Sequence, residues 1–118
     1  MVKQGLAQVI DSIKEESRDA VILVEGKRDK EALRKVGIPS YAILQVSYKD
    51  ENRIYKEVLL YHRNKVIALY DNDRTGEKKM SKLKSFLYGT GLKLLDYSNP
   101  LNENGITYIE EIDNRLSI

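Results

Sequence analysis

The chain has 118 residues, which fits one domain, and 42% of them are hydrophobic, enough for an ordinary core. It contains no cysteine, which excludes disulfides, thiolate zinc sites and a cysteine nucleophile. The net charge of +2 is too small to indicate a nucleic-acid-binding surface by itself. No apolar run is long enough for a membrane span or a signal peptide, so we expect a cytoplasmic protein with no membrane partner.

Helix-like and strand-like patterns alternate along the first part of the chain. Apolar residues at helical spacing predict an amphipathic helix over about residues 3–16. The unbroken apolar run Ala20–Val24, rich in β-branched residues, is typical of a strand buried on both faces. A second helix is predicted over residues 27–36, where Gly37 and Pro39 end it.

The same alternation continues in the second part. Residues 41–46 and 66–70 predict two further strands, with a helix over about residues 51–62 between them. A helix near residues 77–88 precedes a weaker fourth strand over residues 92–97. This order indicates an α/β fold in which about four parallel strands form one sheet with helices on both faces.

The tail adds one more predicted helix. Thr107 and Glu110 stand at capping-box spacing before apolar residues at helical intervals, which predicts a helix over about residues 107–116. This helix and the one over residues 3–16 carry apolar faces that either pack on the domain or form a homodimer. The sequence leaves both possibilities open.

Acidic residues follow the first and third predicted strands directly. Glu25 and Asp29 come after the first strand, and Asp71 and Asp73 come after the third. Ligands of open α/β sheets bind beyond the carboxyl ends of the strands, so both groups lie on the functional edge. If the two strands are neighbours, Glu25, Asp71 and Asp73 converge.

Converging carboxylates need a counter-charge. Two of them about 4 Å apart repel by roughly 4 kcal/mol at an effective dielectric of about 20, so one takes a proton or a cation binds between them. A cluster of oxygen ligands without cysteine or histidine favours a hard ion, Mg²⁺ or Mn²⁺. We therefore predict a metal on Glu25, Asp71 and Asp73, where it can clamp a phosphate and activate water.

Glycines and basic residues beside these acids fit a phosphate. Gly26 and Gly76 lie at strand-to-helix turns, where a bare backbone lets a phosphate approach helix N-terminal amides. A solvated helix face has a similar basic composition, and acids at these positions also suit helix capping, so both interpretations stay open. The predicted basic phosphate contacts are Lys27, Arg28, Arg74, Lys78 and Lys79.

Two residues with aromatic rings outside the acidic segments, Tyr48 and His62, are assigned different roles. Tyr48 lies just past the second predicted strand on the functional edge, and it is the tyrosine we would test for substrate contact. His62 is the only histidine and falls late in a predicted helix, so we assign it a structural role.

The two acidic segments together resemble the signatures of the topoisomerase–primase (Toprim) domain. Residues 21–29, V-I-L-V-E-G-K-R-D, resemble a hydrophobic strand that ends in E-G-x-x-D. Residues 67–78, I-A-L-Y-D-N-D-R-T-G-E-K, resemble a hydrophobic strand that ends in D-x-D-x-x-G. The resemblance covers about residues 18–97 and implies a compact Rossmann-like fold, so that residues 1–118 form one Toprim domain with a helix added at each end.

The resemblance also implies residue roles and a reaction. Glu25 becomes the general acid or base, Asp71 and Asp73 become Mg²⁺ ligands, and Asp29 becomes a supporting position. Topoisomerases need a tyrosine in a separate domain and primases need a zinc module, and neither fits in a chain of this length. It therefore looks most like the branch of small ribonucleases and OLD-family nucleases, which implies hydrolysis of RNA or DNA, alone or with an accessory subunit.

Three other interpretations stay open. Residues 71–75, D-N-D-R-T, also fit the D-x-D-x-T signature of haloacid-dehalogenase-type phosphatases, although that motif should follow the first strand. A receiver-type signalling domain needs paired acids after the first strand and five strands. A non-catalytic module that binds nucleic acid or a partner would keep the acids without turnover, and a Glu25→Gln variant would then change little.

Overall fold

The structure is a computed structural model that describes residues 5–116. The strands are β1 Ala20–Val24, β2 Ile43–Gln45, β3 Lys65–Leu69 and β4 Lys93–Leu95. The α-helices are α1 Leu6–Glu16, α2 Lys27–Lys35, α3 Glu51–Leu59, α4 Arg74–Leu87, α5 Ser98–Glu103 and α6 Ile112–Leu116. Two 3-10 turns lie at Ser40–Ala42 and Ile109–Glu111.

All four strands are parallel and form one sheet in the order β2-β1-β3-β4. The central strand β1 pairs with both β2 and β3, so that Val24 lies opposite Gln45 on one side and Leu69 on the other. The predicted α/β fold with four parallel strands is therefore confirmed. Because β1 and β3 are neighbours, the residues that follow their carboxyl ends share one edge of the sheet.

Alternate residues of β1 belong to two hydrophobic cores, one on each face of the sheet. Ala20, Ile22 and Val24 pack in the first core with residues of α1, α2 and the C-terminal segment. Val21 and Leu23 pack in the second core with residues of α3 and α4. All five side chains are fully buried, which explains why this strand is apolar without alternation.

The terminal helices pack on the domain. Val9 and Ile13 of α1 and Ile112 of α6 are fully buried in the first core, so these apolar faces are already covered. Residues 3 and 4 of the predicted first helix lie outside the described residues. No helix within residues 5–116 has the length and apolar character needed to cross a membrane.

Three bounds in the middle of the chain differ from the prediction. Residues 41 and 42 belong to a 3-10 turn, and β2 is limited to Ile43–Gln45. Helix α3 ends at Leu59, so His62 lies beyond it with a left-handed φ of 56°. Helix α4 begins earlier than predicted because the Asp73 side chain caps its first turn.

The predictions after β4 need the largest correction. Helix α5 was not predicted; the Asp96 carboxylate accepts a hydrogen bond from the Ser98 N–H at its start, at 2.9 Å. The predicted capping box of Thr107 and Glu110 is wrong, because the reciprocal hydrogen bond runs from the Tyr108 N–H to Glu111 Oε1, at 3.0 Å. The predicted final helix accordingly begins only at Ile112, after a 3-10 turn.

Candidate functional site

The acids of the two motifs meet at the carboxyl edge of the sheet. Glu25 directly follows β1, and Asp71 lies two residues beyond the end of β3. The Asp71 N–H donates to Glu25 Oε2 at 2.9 Å, so the Glu25 carboxylate lies against the backbone of the second motif. The strand neighbours β1 and β3 thus bring together residues that are 46 positions apart in the chain.

A lysine from α4 completes the environment of Glu25. Lys79 Nζ lies 2.7 Å from Glu25 Oε1, and this lysine is one turn into the helix that follows Asp73. The Glu25 side chain is 16% exposed and that of Lys79 is 49% exposed. Lys79 therefore supplies a half-exposed counter-charge to a carboxylate that is largely withdrawn from water.

Asp71 carries an unfavourable charge. Burial, together with the negative charges of Asp29, Glu25 and Asp73, raises the pKa of Asp71 to about 6. One hydrogen bond opposes this shift, from the Ile109 N–H to Asp71 Oδ1 at 3.0 Å. Burial is the largest cause of the raised pKa, and the neighbouring acids add to it.

Asp73 acts first as a helix cap. Its Oδ1 accepts a hydrogen bond from the Gly76 N–H at 2.8 Å, which satisfies one of the free amides at the start of α4. Helix capping was considered for Glu25 and Asp71, but the N-cap residues of α2 and α4 are Gly26 and Asp73. The other carboxylate oxygen of Asp73, like Asp71 Oδ2, accepts no hydrogen bond from residues 5–116.

Asp29 lies behind the other acids. It is 7% exposed and accepts a hydrogen bond from the Gly26 N–H at 3.0 Å. Burial raises its pKa, the two backbone hydrogen bonds from Gly26 and Glu110 lower it, and the charges of Glu25 and Glu110 raise it. Its position fits support of the first motif rather than contact with a substrate.

The donor set fits Mg²⁺ by its chemistry. Hard divalent ions bind carboxylate oxygens, and Asp71 and Asp73 each keep one oxygen without a protein partner in the described part of the chain. Across residues 5–116, however, no three acidic or histidine side chains are arranged so that they could hold a metal ion. Glu25, Asp71 and Asp73 therefore share an edge without forming a closed cage.

The C-terminal segment holds the second motif in place. We call residues 106–110 the C-terminal strap. The Asn72 N–H donates to the Thr107 carbonyl oxygen at 2.7 Å, and the Asn72 side-chain amide donates to the Ile106 carbonyl oxygen at 3.0 Å. The strap also carries the Ile109 amide that reaches Asp71. Neither Asn72 nor the strap was predicted from the sequence, which left the apolar face of the tail either to pack on the domain or to form a homodimer.

The two glycines of the motifs have different roles. A Cβ atom at Gly76 would lie 1.9 Å from the Asp71 carbonyl oxygen, so the bare backbone there is required by close packing of α4. A Cβ atom at Gly26 would lie 3.9 Å from its nearest neighbour, Asp29 Oδ2. Both glycine amides already donate to aspartates, so they are not free for the phosphate that was predicted to approach them.

Two clefts flank the acidic edge, and the Tyr70 side chain lines both. The lysine cleft, of about 380 Å³, is lined by Glu25, Tyr48, Lys79 and Lys82 among others. The asparagine cleft, of about 350 Å³, is lined among others by Asp71, Asn72, Glu77, Ser98, Asn99 and Asn102. The acids therefore lie between two grooves of different chemistry.

The predicted basic contacts are spread around the edge. Lys79 lines the lysine cleft and contacts Glu25. Arg28 lines a separate surface depression together with Glu110 and Glu111, where acids surround it. Lys27, Arg74 and Lys78 are exposed and line neither cleft.

A four-stranded parallel sheet with acids after two adjacent strands defines a small α/β domain with a polar site on its carboxyl edge. A sequence model described as the Toprim domain matches residues 19–95, and the chain belongs to the Toprim family. At the level of the family, this membership implies Mg²⁺-dependent activity related to nucleic acid. The haloacid-dehalogenase and receiver interpretations are therefore wrong.

Two archaeal proteins are similar to this chain in sequence. The chain is 39% identical over 84 residues to a UPF0292 protein of Thermococcus sibiricus, which covers 71% of this chain and 63% of that protein. It is 37% identical over 73 residues to a UPF0292 protein of Methanocaldococcus jannaschii, which covers 62% and 56%. The chain thus matches little more than half of the length of these relatives.

Two solved structures share the fold. A protein from Aquifex aeolicus matches with a TM-score of 0.81 and 37% identity, over 92% of this chain and 98% of that one. The zinc-binding and RNA polymerase domains of the Aquifex aeolicus primase match with a TM-score of 0.51 and 24% identity, over 92% of this chain and 27% of that one. The second likeness concerns the fold alone.

Proposed function

We propose that the protein hydrolyses phosphodiester bonds in RNA or DNA with Mg²⁺, as a member of the Toprim branch that contains small ribonucleases and OLD-family nucleases. The observation that carries the proposal is the contact between the two motifs, in which the Asp71 N–H donates to Glu25 at 2.9 Å. It brings a candidate acid–base group next to two candidate metal ligands. Family membership supplies the substrate class.

The roles follow from the contacts. Asp71 and Asp73 would hold Mg²⁺ through the oxygens that accept no hydrogen bond within the described chain. When bound, the ion supplies charge stabilisation for the phosphate and a more acidic water. Glu25 lies at the edge beside these oxygens and pairs with Lys79 at 2.7 Å, a position that suits it to accept a proton from the attacking water. Lys79 is long and half-exposed, so it can also reach a phosphate oxygen.

The first test is direct cleavage. Labelled single- and double-stranded RNA and DNA would be incubated with the protein in Mg²⁺, Mn²⁺ or EDTA. We expect cleavage that requires the metal and falls by about 100-fold or more in Glu25→Gln, because general acid–base catalysis contributes about that much. Glu31→Gln is the matched control, since Glu31 is an exposed residue of α2 that lines neither the lysine cleft nor the asparagine cleft.

Metal binding must be measured separately by calorimetry. Glu25→Gln should retain Mg²⁺ binding, whereas Asp71→Asn should lose most of it. Absence of cleavage with Mg²⁺ bound would reject hydrolysis as the function.

A second candidate is a non-catalytic module that binds nucleic acid. It is favoured by the absence of a closed metal cage within residues 5–116 and by the pairing of Glu25 with Lys79. In that case Glu25→Gln would leave nucleic-acid binding nearly unchanged, and no condition would produce cleavage.

A further inference from the structure

We propose that the lysine cleft binds one unpaired nucleobase, stacked on the ring of Tyr48, beside the phosphate at the acidic edge. This inference rests on the nucleic-acid part of the proposed function and names the form of substrate that the site takes: a single strand or an unpaired segment rather than a continuous duplex.

The first observation is the conformation of Tyr48. Its side chain is fully exposed, at 104%, so it contributes nothing to either core. Its φ is 64°, in the left-handed region that favours glycine or asparagine over a bulky residue. The fold therefore neither needs this ring nor favours this residue at the position. A contact with something outside the chain explains why a tyrosine stands there.

The second observation is the position of the ring. Tyr48 lines the same cleft as Glu25, the candidate acid–base residue. A cleft of about 380 Å³ is within the ordinary range for sites that bind a small organic group. A base seated there would belong to a nucleotide close to the reacting phosphate.

The third observation is the charge of the cleft wall. Lys79 and Lys82 are one turn apart on α4 and therefore face the same side. Lys82 has no ion-pair partner among the described residues, whereas Lys49 in the same cleft is held by Glu57 at 3.0 Å. Lys82 is thus available for the phosphate backbone on either side of the stacked base.

The geometry favours an unpaired base. In a continuous duplex both faces of each base are covered by its neighbours, so an exposed ring finds no face to stack on. In a single strand the faces are accessible, and stacking on aromatic rings tolerates every base because each has a π-face. The cleft should therefore prefer single strands without preferring a sequence.

Binding in EDTA tests the proposal without cleavage. Fluorescence anisotropy would compare a labelled single-stranded oligonucleotide, the same sequence as a duplex, and competition by a mononucleotide. We expect the single strand to bind more tightly than the duplex, and the oligonucleotide to compete better than the mononucleotide. Tyr48→Ala should weaken single-strand binding by about 5- to 150-fold, and Tyr48→Phe should bind like the parent.

Two control variants separate the ring from the fold. Tyr88→Ala removes an equally exposed tyrosine that follows the far end of α4, and it should bind like the parent. Tyr48→Gly removes the ring and suits the left-handed backbone, so its melting temperature should not fall while its binding falls as in Tyr48→Ala.

The possible failures are distinguishable. Equal binding by Tyr48→Ala and the parent, or tighter binding of the duplex, would overturn the subsite even if Glu25-dependent cleavage is found. Equal competition by mononucleotide and oligonucleotide would show that the cleft binds a free nucleotide, and it would overturn the proposal that the cleft binds a base of a single strand. Tyr48-dependent binding without any cleavage would support the subsite and reject hydrolysis. No binding of any nucleic acid would overturn both proposals.

Discussion

Replacing Asp71 by asparagine measures the cost of burying the Asp71 charge beside other acids. Burial and the neighbouring acids raise the pKa of Asp71 to about 6 from an ordinary value of 3.8. Each pKa unit corresponds to about 1.4 kcal/mol, so the shift amounts to about 3 kcal/mol. This carboxylate is partly exposed, and solvent screens its charge. We therefore expect the charge to destabilise the fold by about 1–2 kcal/mol rather than by the full amount.

The sign follows from proton linkage. The folded protein binds the Asp71 proton more tightly than the unfolded chain does. Its free energy of unfolding therefore falls as the pH rises from about 4 to about 6, and the full penalty is present above that range. In Asp71→Asn, the amide oxygen can still accept the Ile109 N–H, which lies 3.0 Å from Asp71 Oδ1 in the parent. The variant should thus be about 1–2 kcal/mol more stable than the parent at about pH 8.

Urea unfolding in EDTA checks this difference. The gap between Asp71→Asn and the parent should close at about pH 4, where the parent carboxyl is protonated. Asp11→Asn, at an exposed position of α1, is the control and should change stability by less than about 0.5 kcal/mol. Adding Mg²⁺ should reverse the order, because an ion at about 100 times its Kd stabilises the parent by about 2.7 kcal/mol. If the difference in free energy of unfolding between Asp71→Asn and the parent is absent at pH 8, or does not change with pH, the reasoning about the Asp71 charge is refuted.

Four further substitutions probe the two motifs and their neighbours. Gly76→Ala should lower the melting temperature strongly, because its Cβ atom would lie 1.9 Å from the Asp71 carbonyl oxygen, whereas Gly26→Ala, with 3.9 Å of room, should not. Asn72→Ala should cost about 1 kcal/mol in urea unfolding, through its lost hydrogen bond to the strap, and should weaken Mg²⁺ binding in calorimetry. Lys79→Ala should reduce the salt dependence of nucleic-acid binding by about one phosphate contact. An unchanged slope of log binding constant against log salt concentration would show that Lys79 does not contact the nucleic acid.

The elements that were best predicted from the sequence are those whose own apolar pattern indicates their burial. The run Ala20–Val24 is apolar without alternation because a core covers each face of β1. β3 is apolar and buried in the same way, and the ends of these two strands predicted the positions of Glu25 and Asp71. The shared edge followed from the fold class, whereas the contact between the motifs also required β1 and β3 to be neighbours, which the sequence left as a condition.

What could not be predicted depends on contacts between distant segments. The partner of Glu25 is Lys79, 54 positions away, and nothing in the first motif selects it from the other lysines of α4. Helix α5 is short, contains Pro100 and buries Leu101, so it carries no helical period to recognise. The residues beside Tyr48 in the sequence also do not predict its exposure or its left-handed backbone conformation.

The D-x-D motif does not by itself determine where its first carboxylate points. The amide that holds Asp71 Oδ1 belongs to Ile109, which is 38 positions after Asp71. Ile109 lies outside the matched family region, which ends at residue 95. Ile106, Ile109 and Ile112 are fully buried in the first core, and each such side chain contributes about 1.5–3 kcal/mol of burial. Burial of these isoleucines fixes the strap, and the strap in turn fixes Asp71 and Asn72. The orientation of a candidate metal ligand is thus set by hydrophobic packing of a segment that the family motif does not include.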